Sequence, residues 1–116
     1  MKIAVIGLGQ RLSRVLAHLL RAMPEAEPVG WVDPMEAGVA WLRERRGIEP
    51  GPRFEDPGAM LRRTRPDLVM IGSPNHLHLE HLRLSLASGA RVFCEKPVVR
   101  TEDETWALAA DLADEP

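Results

Sequence analysis

A short apolar run that stops at a glycine, followed at once by helical periodicity, constrains this chain more than any other feature. Residues 2–6 read KIAVI, the signature of a strand buried on both faces, and end at Gly7. After the turn GLGQ, the residues Leu12, Val15, Leu16, Leu19, Leu20 and Met23 recur at three- and four-residue spacing until Pro24 closes the helix they mark. The same pairing recurs along the chain. PVGWVD ends at Asp33, and Pro34 takes a first-turn position in a helix expected to run to about Arg46 and stop at Gly47. DLVMIGS, residues 67–73, is a strong apolar strand, and the segment after it breaks at Pro74 and then runs helically to Gly89. RVFCE, residues 91–95, is a further strand. TEDETWALAADLAD then opens with Thr101 and Glu104 at capping-box spacing. Between these units, GIEPGPRFEDPG holds three prolines and three glycines and supports at most a short strand around residues 53–55. Asp56 before Pro57 is expected to cap a helix that ends near Thr64.

Five strands alternating with five helices predict an α/β fold, a doubly wound parallel sheet with helices on both faces. Right-handed crossovers and the glycine turn after the first strand favour the strand order 3-2-1-4-5, with the flavodoxin-like order second. The 116 residues suit a single domain, 1–116, without internal repeats. A net charge of −2 leaves no basic footprint for nucleic acid. No apolar run approaches the ~20 residues of a membrane-spanning helix, and the start of the chain lacks the pattern of a signal peptide, so the cytoplasm is the expected location. The single cysteine, Cys94, offers neither an internal disulfide nor a zinc set, and no metal is expected.

Chemistry concentrates at the ends of the strands. A turn that leaves a strand and opens a helix aims free N–H groups and the helix dipole at an anion. The residues Gly7, Leu8, Gly9, Gln10, Arg11 and Leu12 form such a turn, with Gly7 allowing the bend and Gly9 letting a pyrophosphate approach the backbone. Leu12 stands where G-x-G-x-x-G has its third glycine, and it would push the helix off the strand unless its neighbours are small. Asp33 follows Gly9 by 24 residues, at the end of the second strand. There a carboxylate can accept hydrogen bonds from ribose hydroxyls, although the same residue would serve equally to start a helix before Pro34. Its charge would repel a 2′-phosphate, favouring NAD, while Arg11 could reach such a phosphate and admit NADP. Ser73, Pro74, Asn75 and His78 sit at the end of the fourth strand, on the crevice where ligands of open α/β sheets bind. His76 and His81 read as parts of a hydrated helical face. Glu95 and Lys96 occupy the end of the fifth strand. A partly desolvated lysine there could exchange a proton with a substrate hydroxyl, with Glu95 orienting it or touching ribose; an exposed Lys–Glu pair is the plainer alternative.

The combination of Ser73-Pro74-Asn75 and His78 with Glu95-Lys96-Pro97 resembles oxidoreductases of the Gfo/Idh/MocA family, and the resemblance spans essentially the whole chain. It implies an NAD- or NADP-binding domain, with Lys96 in catalysis or substrate binding near the nicotinamide and Asp33 on the ribose. It also implies hydride transfer to or from a sugar, polyol or related hydroxy compound. Members of that family continue into a second domain that supplies substrate contacts. This chain is therefore expected to represent a domain or truncated product that binds cofactor without turnover. A homodimer through the surface left exposed by the missing domain is expected with it. The alternatives are a non-catalytic binding module that has lost the dinucleotide, for which Leu12 is the strongest argument, and, more remotely, a flavodoxin-like binder of FMN.

Overall fold

A computed structural model describes residues 1–95, together with Asp103 and Ala109. Lys96, Pro97 and nearly all of the helix expected after Thr101 lie outside the described residues. Strand β1 (Lys2–Ile6) is central: it pairs in parallel with β2 (Glu27–Val32) on one side and with β3 (Leu68–Ile71) on the other. Strand β4 (Arg91–Cys94) adds in parallel to β3, which gives, among the described residues, a four-stranded sheet in the order β2-β1-β3-β4.

This corrects the expected five-stranded sheet in the order 3-2-1-4-5. The segment expected as the third strand makes a single bridge, Arg53 opposite Trp31, and no strand. Its proline content supplies the reason. Pro50 and Pro52 have no N–H to donate, and Gly51 turns the chain at a φ of 92°. Among the described residues two backbone hydrogen bonds join this segment to the edge of β2: Trp31 N–H donates to the Pro52 carbonyl at 3.1 Å, and Phe54 N–H donates to the Trp31 carbonyl at 2.8 Å.

Helix α1 (Gln10–Ala22) joins β1 to β2. After β2, helix α2 (Ala37–Trp41) widens into a π-helical turn over Leu42–Arg46 and stops at Gly47, which is left-handed at φ 64°. The helix starts at Ala37 rather than at Pro34 because the Asp33 carboxylate accepts the Met35 N–H at 2.8 Å, closing a local turn over these residues. Helix α3 (Pro57–Thr64) carries Pro57 in its first turn and is capped by Asp56, whose carboxylate accepts the Ala59 N–H at 2.8 Å. A 3₁₀ turn, Asn75–Leu77, leads into α4 (His78–Ala87), which returns the chain to β4.

Alternation along the strands divides the interior into two layers. Ile3 and Val5 of β1 and Met70 of β3 pack with Leu12 and Leu16 of α1 and with Val39 and Leu42. Ala4 and Ile6, with Val69 and Ile71, pack against Met60 and Leu61 of α3 and Leu82 of α4. Helices therefore cover both faces of the sheet, and the loops leaving the strands are free to meet along one edge.

Candidate functional site

The register of the sheet builds the site. Ile6 lies opposite both Val32 and Ile71, and Ile71 lies opposite Cys94. The residues that follow them, Asp33, Gly7, Gly72 and Glu95, therefore form one row just past the carboxyl ends of four parallel strands. Backbone hydrogen bonds hold the row: Gly7 N–H to the Val32 carbonyl at 2.7 Å, Gly72 N–H to the Ile6 carbonyl at 2.8 Å, and Glu95 N–H to the Ile71 carbonyl at 3.0 Å. Three strand spacings of about 4.8 Å separate its acidic ends by roughly 14 Å.

At the centre of the row, Gly7 has a φ of 81°, and a Cβ there would run into the backbone of Gly72 and Ser73. Gly9 is the N-cap of α1, with no side-chain cap and no acidic residue in the first turn. Among the described residues a Cβ at Gly9 would meet nothing within 4 Å, so the space before the uncapped N–H groups of the first turn is open to them. Gln10 and Arg11 are exposed, whereas Leu8 and Leu12 are buried.

Leu12 does not stand in that open space. It is 1% exposed and belongs to the core beneath the turn. The room it occupies is supplied by Gly72, where a Cβ would lie 2.8 Å from Leu12 Cδ2 and 2.7 Å from the Gly7 carbonyl oxygen. The side chain missing from position 72 thus compensates for the glycine missing from position 12, and the objection that Leu12 forces the helix off the strand is removed. On the other flank, the Ser13 hydroxyl donates to the Gly9 carbonyl at 2.6 Å. Gly38 of α2 packs so closely that a Cβ would overlap the Leu8 carbonyl oxygen.

Asp33, half-buried, anchors one end of the row, and its carbonyl accepts a hydrogen bond from Arg53 at 3.1 Å. At the other end, the Glu95 side chain is 21% exposed and its Oε1 lies 3.8 Å from Arg11 Nε. That oxygen is buried and has no hydrogen-bond partner among the described residues. Beside it, the Cys94 thiol is pushed up to about 11, chiefly by burial and secondarily by Glu95, so it stays protonated near neutral pH.

Ser73, Pro74, Asn75 and His78 follow Gly72. Pro74 and Asn75 are exposed. His78, 2% exposed, sets Nε2 at 2.5 Å from the Ser73 carbonyl oxygen and so ties the start of α4 to the end of β3. His76 is exposed, but His81 is not part of a hydrated face: it is half-buried, with Nδ1 at 2.7 Å from the Ser73 hydroxyl. Burial holds its imidazole below the ordinary value, with His78 adding to the effect and Glu80 opposing it. Sequence reasoning missed His81, Gly72, Gly38 and Arg53. The first has a signal, one helical turn beyond His78; the glycines and Arg53 matter through residues remote in sequence. Among the described residues no three histidine, cysteine or acidic side chains converge to hold a metal ion, and no helix is long and apolar enough to cross a membrane.

A parallel sheet wrapped by helices, with a glycine turn opening α1 at its carboxyl edge, is a Rossmann-type α/β unit. Residues 1–115 match the profile of the Gfo/Idh/MocA family, described as an oxidoreductase family with an NAD-binding Rossmann fold. The chain belongs to this family. D-glucoside 3-dehydrogenase of Escherichia coli (strain K12) is 34% identical over 104 residues, which are 90% of this chain and 29% of that enzyme. The crystal structure of scyllo-inositol dehydrogenase from Lactobacillus casei with bound NAD(H) and scyllo-inositol superposes with a TM-score of 0.76 at 28% identity, covering 97% of this chain and 33% of that one. A 3-ketoreductase from Actinomadura kijaniata, in complex with TDP-benzene and NADP, superposes with a TM-score of 0.74 at 26% identity, covering 98% of this chain and 35% of that one. The chain thus spans about a third of the length of such relatives or less.

Proposed function

We propose that this chain is the dinucleotide-binding part of an NAD(P)-dependent oxidoreductase whose substrate is a sugar, polyol or related hydroxy compound. The observation that carries the proposal is the row at the carboxyl edge: open N–H donors at its centre and a carboxylate at each end. The donors of Gly9, Gln10 and Arg11 suit a pyrophosphate, which the dipole of α1 also favours. Asp33 would accept hydrogen bonds from the adenosine ribose. Glu95 Oε1, which accepts no hydrogen bond among the described residues and only a long ion pair from Arg11, is a ready acceptor for a further hydroxyl, and a buried carboxylate oxygen without a donor is costly to leave so. These residues fit the group that the family implies. When bound, the nicotinamide supplies the hydride acceptor or donor.

The rest belongs to the chain. Pro74 and Asn75, with Ser73 and His78 behind them, would form the wall between the central turn and Glu95; His78 holds the Ser73 carbonyl. Lys96, next after Glu95, would give a proton to the substrate oxygen or take one from it as hydride moves. The hydroxy-compound class is supported by relatives that are named as a D-glucoside 3-dehydrogenase, a scyllo-inositol dehydrogenase and a 3-ketoreductase. Turnover would need substrate contacts beyond those described here, so the chain by itself is proposed to bind cofactor without turning over. The homodimer belongs to the same proposal: Phe93, 43% exposed on β4, offers an apolar contact, and a sedimentation run giving only monomer at high concentration would refute it.

The test is an equilibrium titration of the chain with NADH, followed by nicotinamide fluorescence, alongside Asp33→Ala. Saturable binding is expected, weakened about tenfold or more in the variant, because a hydrogen bond to a charged group is worth about 1.5–3 kcal/mol. Absence of binding to NADH and NADPH at millimolar concentration would overturn the proposal.

A further inference from the structure

Among the described residues two arginines lie near the row, at opposite ends of it. Arg11 leans toward Glu95, its Nε 3.8 Å from Oε1, on the side away from Asp33. Arg53 is the cation at the Asp33 end. Its bridge to Trp31 sets it against the outer edge of β2, two residues before Asp33. There its guanidinium lies 5.6 Å from the centroid of the Trp31 ring and donates to the Asp33 carbonyl at 3.1 Å. Its other terminal nitrogen is 3.9 Å from Glu36, an ion pair too long for a hydrogen bond, and the Glu36 side chain is 72% exposed. The guanidinium is therefore positioned by one hydrogen bond and a stacking contact while its remaining donors are loosely held. A planar fork in that state is suited to take a phosphate in exchange for a solvated carboxylate.

We infer that Arg53, and not Arg11, is the residue that sets the choice between NAD and NADP, by offsetting the charge of Asp33 where a 2′-phosphate would arrive. The inference rests on the dinucleotide-binding reading above. Asp33 and Glu36 together repel a 2′-phosphate; Arg53 is the counter-charge, and Glu36 competes for it. Removing Arg53 thus removes tolerance of the phosphate, and removing the charge of Glu36 frees Arg53 to receive it.

Dissociation constants for NADH and NADPH, measured on the wild-type chain, Arg53→Met, Glu36→Gln and Arg11→Ala, decide the matter. Methionine keeps an unbranched stem against Trp31 without the charge, and a thermal melt reports whether each variant is folded. Arg53→Met is expected to weaken NADPH at least tenfold while NADH changes less than twofold. Glu36→Gln is expected to tighten NADPH severalfold, and Arg11→Ala to leave the ratio of the two constants within twofold. The inference is overturned if Arg53→Met shifts both cofactors alike, if the ratio follows Arg11, or if the wild type binds NADH with no detectable NADPH. Wild-type chain that binds neither cofactor would instead overturn the dinucleotide reading itself.

Discussion

Replacing Leu12 by glycine would restore the third glycine of the G-x-G-x-x-G pattern, and the sequence pattern alone suggests that this should improve a nucleotide site. The structure predicts the opposite. Leu12 is 1% exposed and sits in the layer formed by Ile3, Val5, Leu16 and Met70, on the far side of the turn from the open space before Gly9. Truncating a buried leucine to alanine costs about 2–5 kcal/mol, and glycine in place of alanine within a helix adds about 1 kcal/mol. The expected loss is therefore about 3–6 kcal/mol, a large part of the ~5–15 kcal/mol that holds a typical domain folded. Urea unfolding should show this as a midpoint lower by more than about 1 M, since slopes for small domains run at about 1–3 kcal/mol per M. NADH binding to the folded fraction should not tighten. If the variant proves too unstable to handle, Leu12→Ala gives the milder form of the same result. Gly72→Ala supplies the coupled test, because its Cβ would press on the Gly7 carbonyl oxygen at 2.7 Å and on Leu12 Cδ2 at 2.8 Å and should cost about 1–3 kcal/mol. In the Leu12→Ala background part of that clash disappears, so the two substitutions should be non-additive by at least about 0.5 kcal/mol. A Leu12→Gly chain as stable as wild type, or one that binds NADH more tightly, would refute the packing argument.

Three further outcomes are expected. Gly38→Ala would drive a Cβ into the Leu8 carbonyl, so it should lower the melting temperature and, by displacing α2 against the turn, weaken NADH binding as well; unchanged affinity would show that the turn is independent of α2. Asp56→Ala removes the cap of α3 and should cost about 1 kcal/mol in urea unfolding with cofactor affinity unaltered, and a neutral result would mean that the Ala59 N–H finds another acceptor. His81 is held below its ordinary value in the folded chain, so the unfolded chain takes up the proton more readily. Its contribution to stability is therefore complete above the unfolded pKa of about 6.5 and is lost as pH falls through the lower folded value. Unfolding midpoints between pH 7.5 and 5 should drop more steeply for wild type than for His81→Gln, and parallel profiles would remove His81 from the account.

Much of the fold was legible because its determinants are local. The run at β1, the helical spacing of α1, the Asp56 cap with Pro57 after it, and the stop at Gly47 each depend on residues within one or two turns of each other. The extra strand failed for a reason equally visible in hindsight: a proline on either side of Gly51 leaves too few N–H donors to sustain a ladder along β2. The start of α2 was displaced because the Asp33 carboxylate closes its own turn instead of the first turn of a helix.

Contiguous residues carried the alternation of strands and helices, the family, and the positions proposed for the candidate site. Each of these is written in contiguous residues, through periodicity, turn chemistry and motif spacing. Which of these positions face one another depends on packing across the sheet. Gly72 was unremarkable until its missing Cβ proved to be the space that Leu12 fills, and His81 looked hydrated until α4 folded it onto Ser73. Arg11 and Arg53 were separated only when the order β2-β1-β3-β4 put Glu95 and Asp33 at opposite ends of the same row. Such pairings join residues tens of positions apart, and the register of a parallel sheet is set by the packing of two layers at once rather than by any one segment.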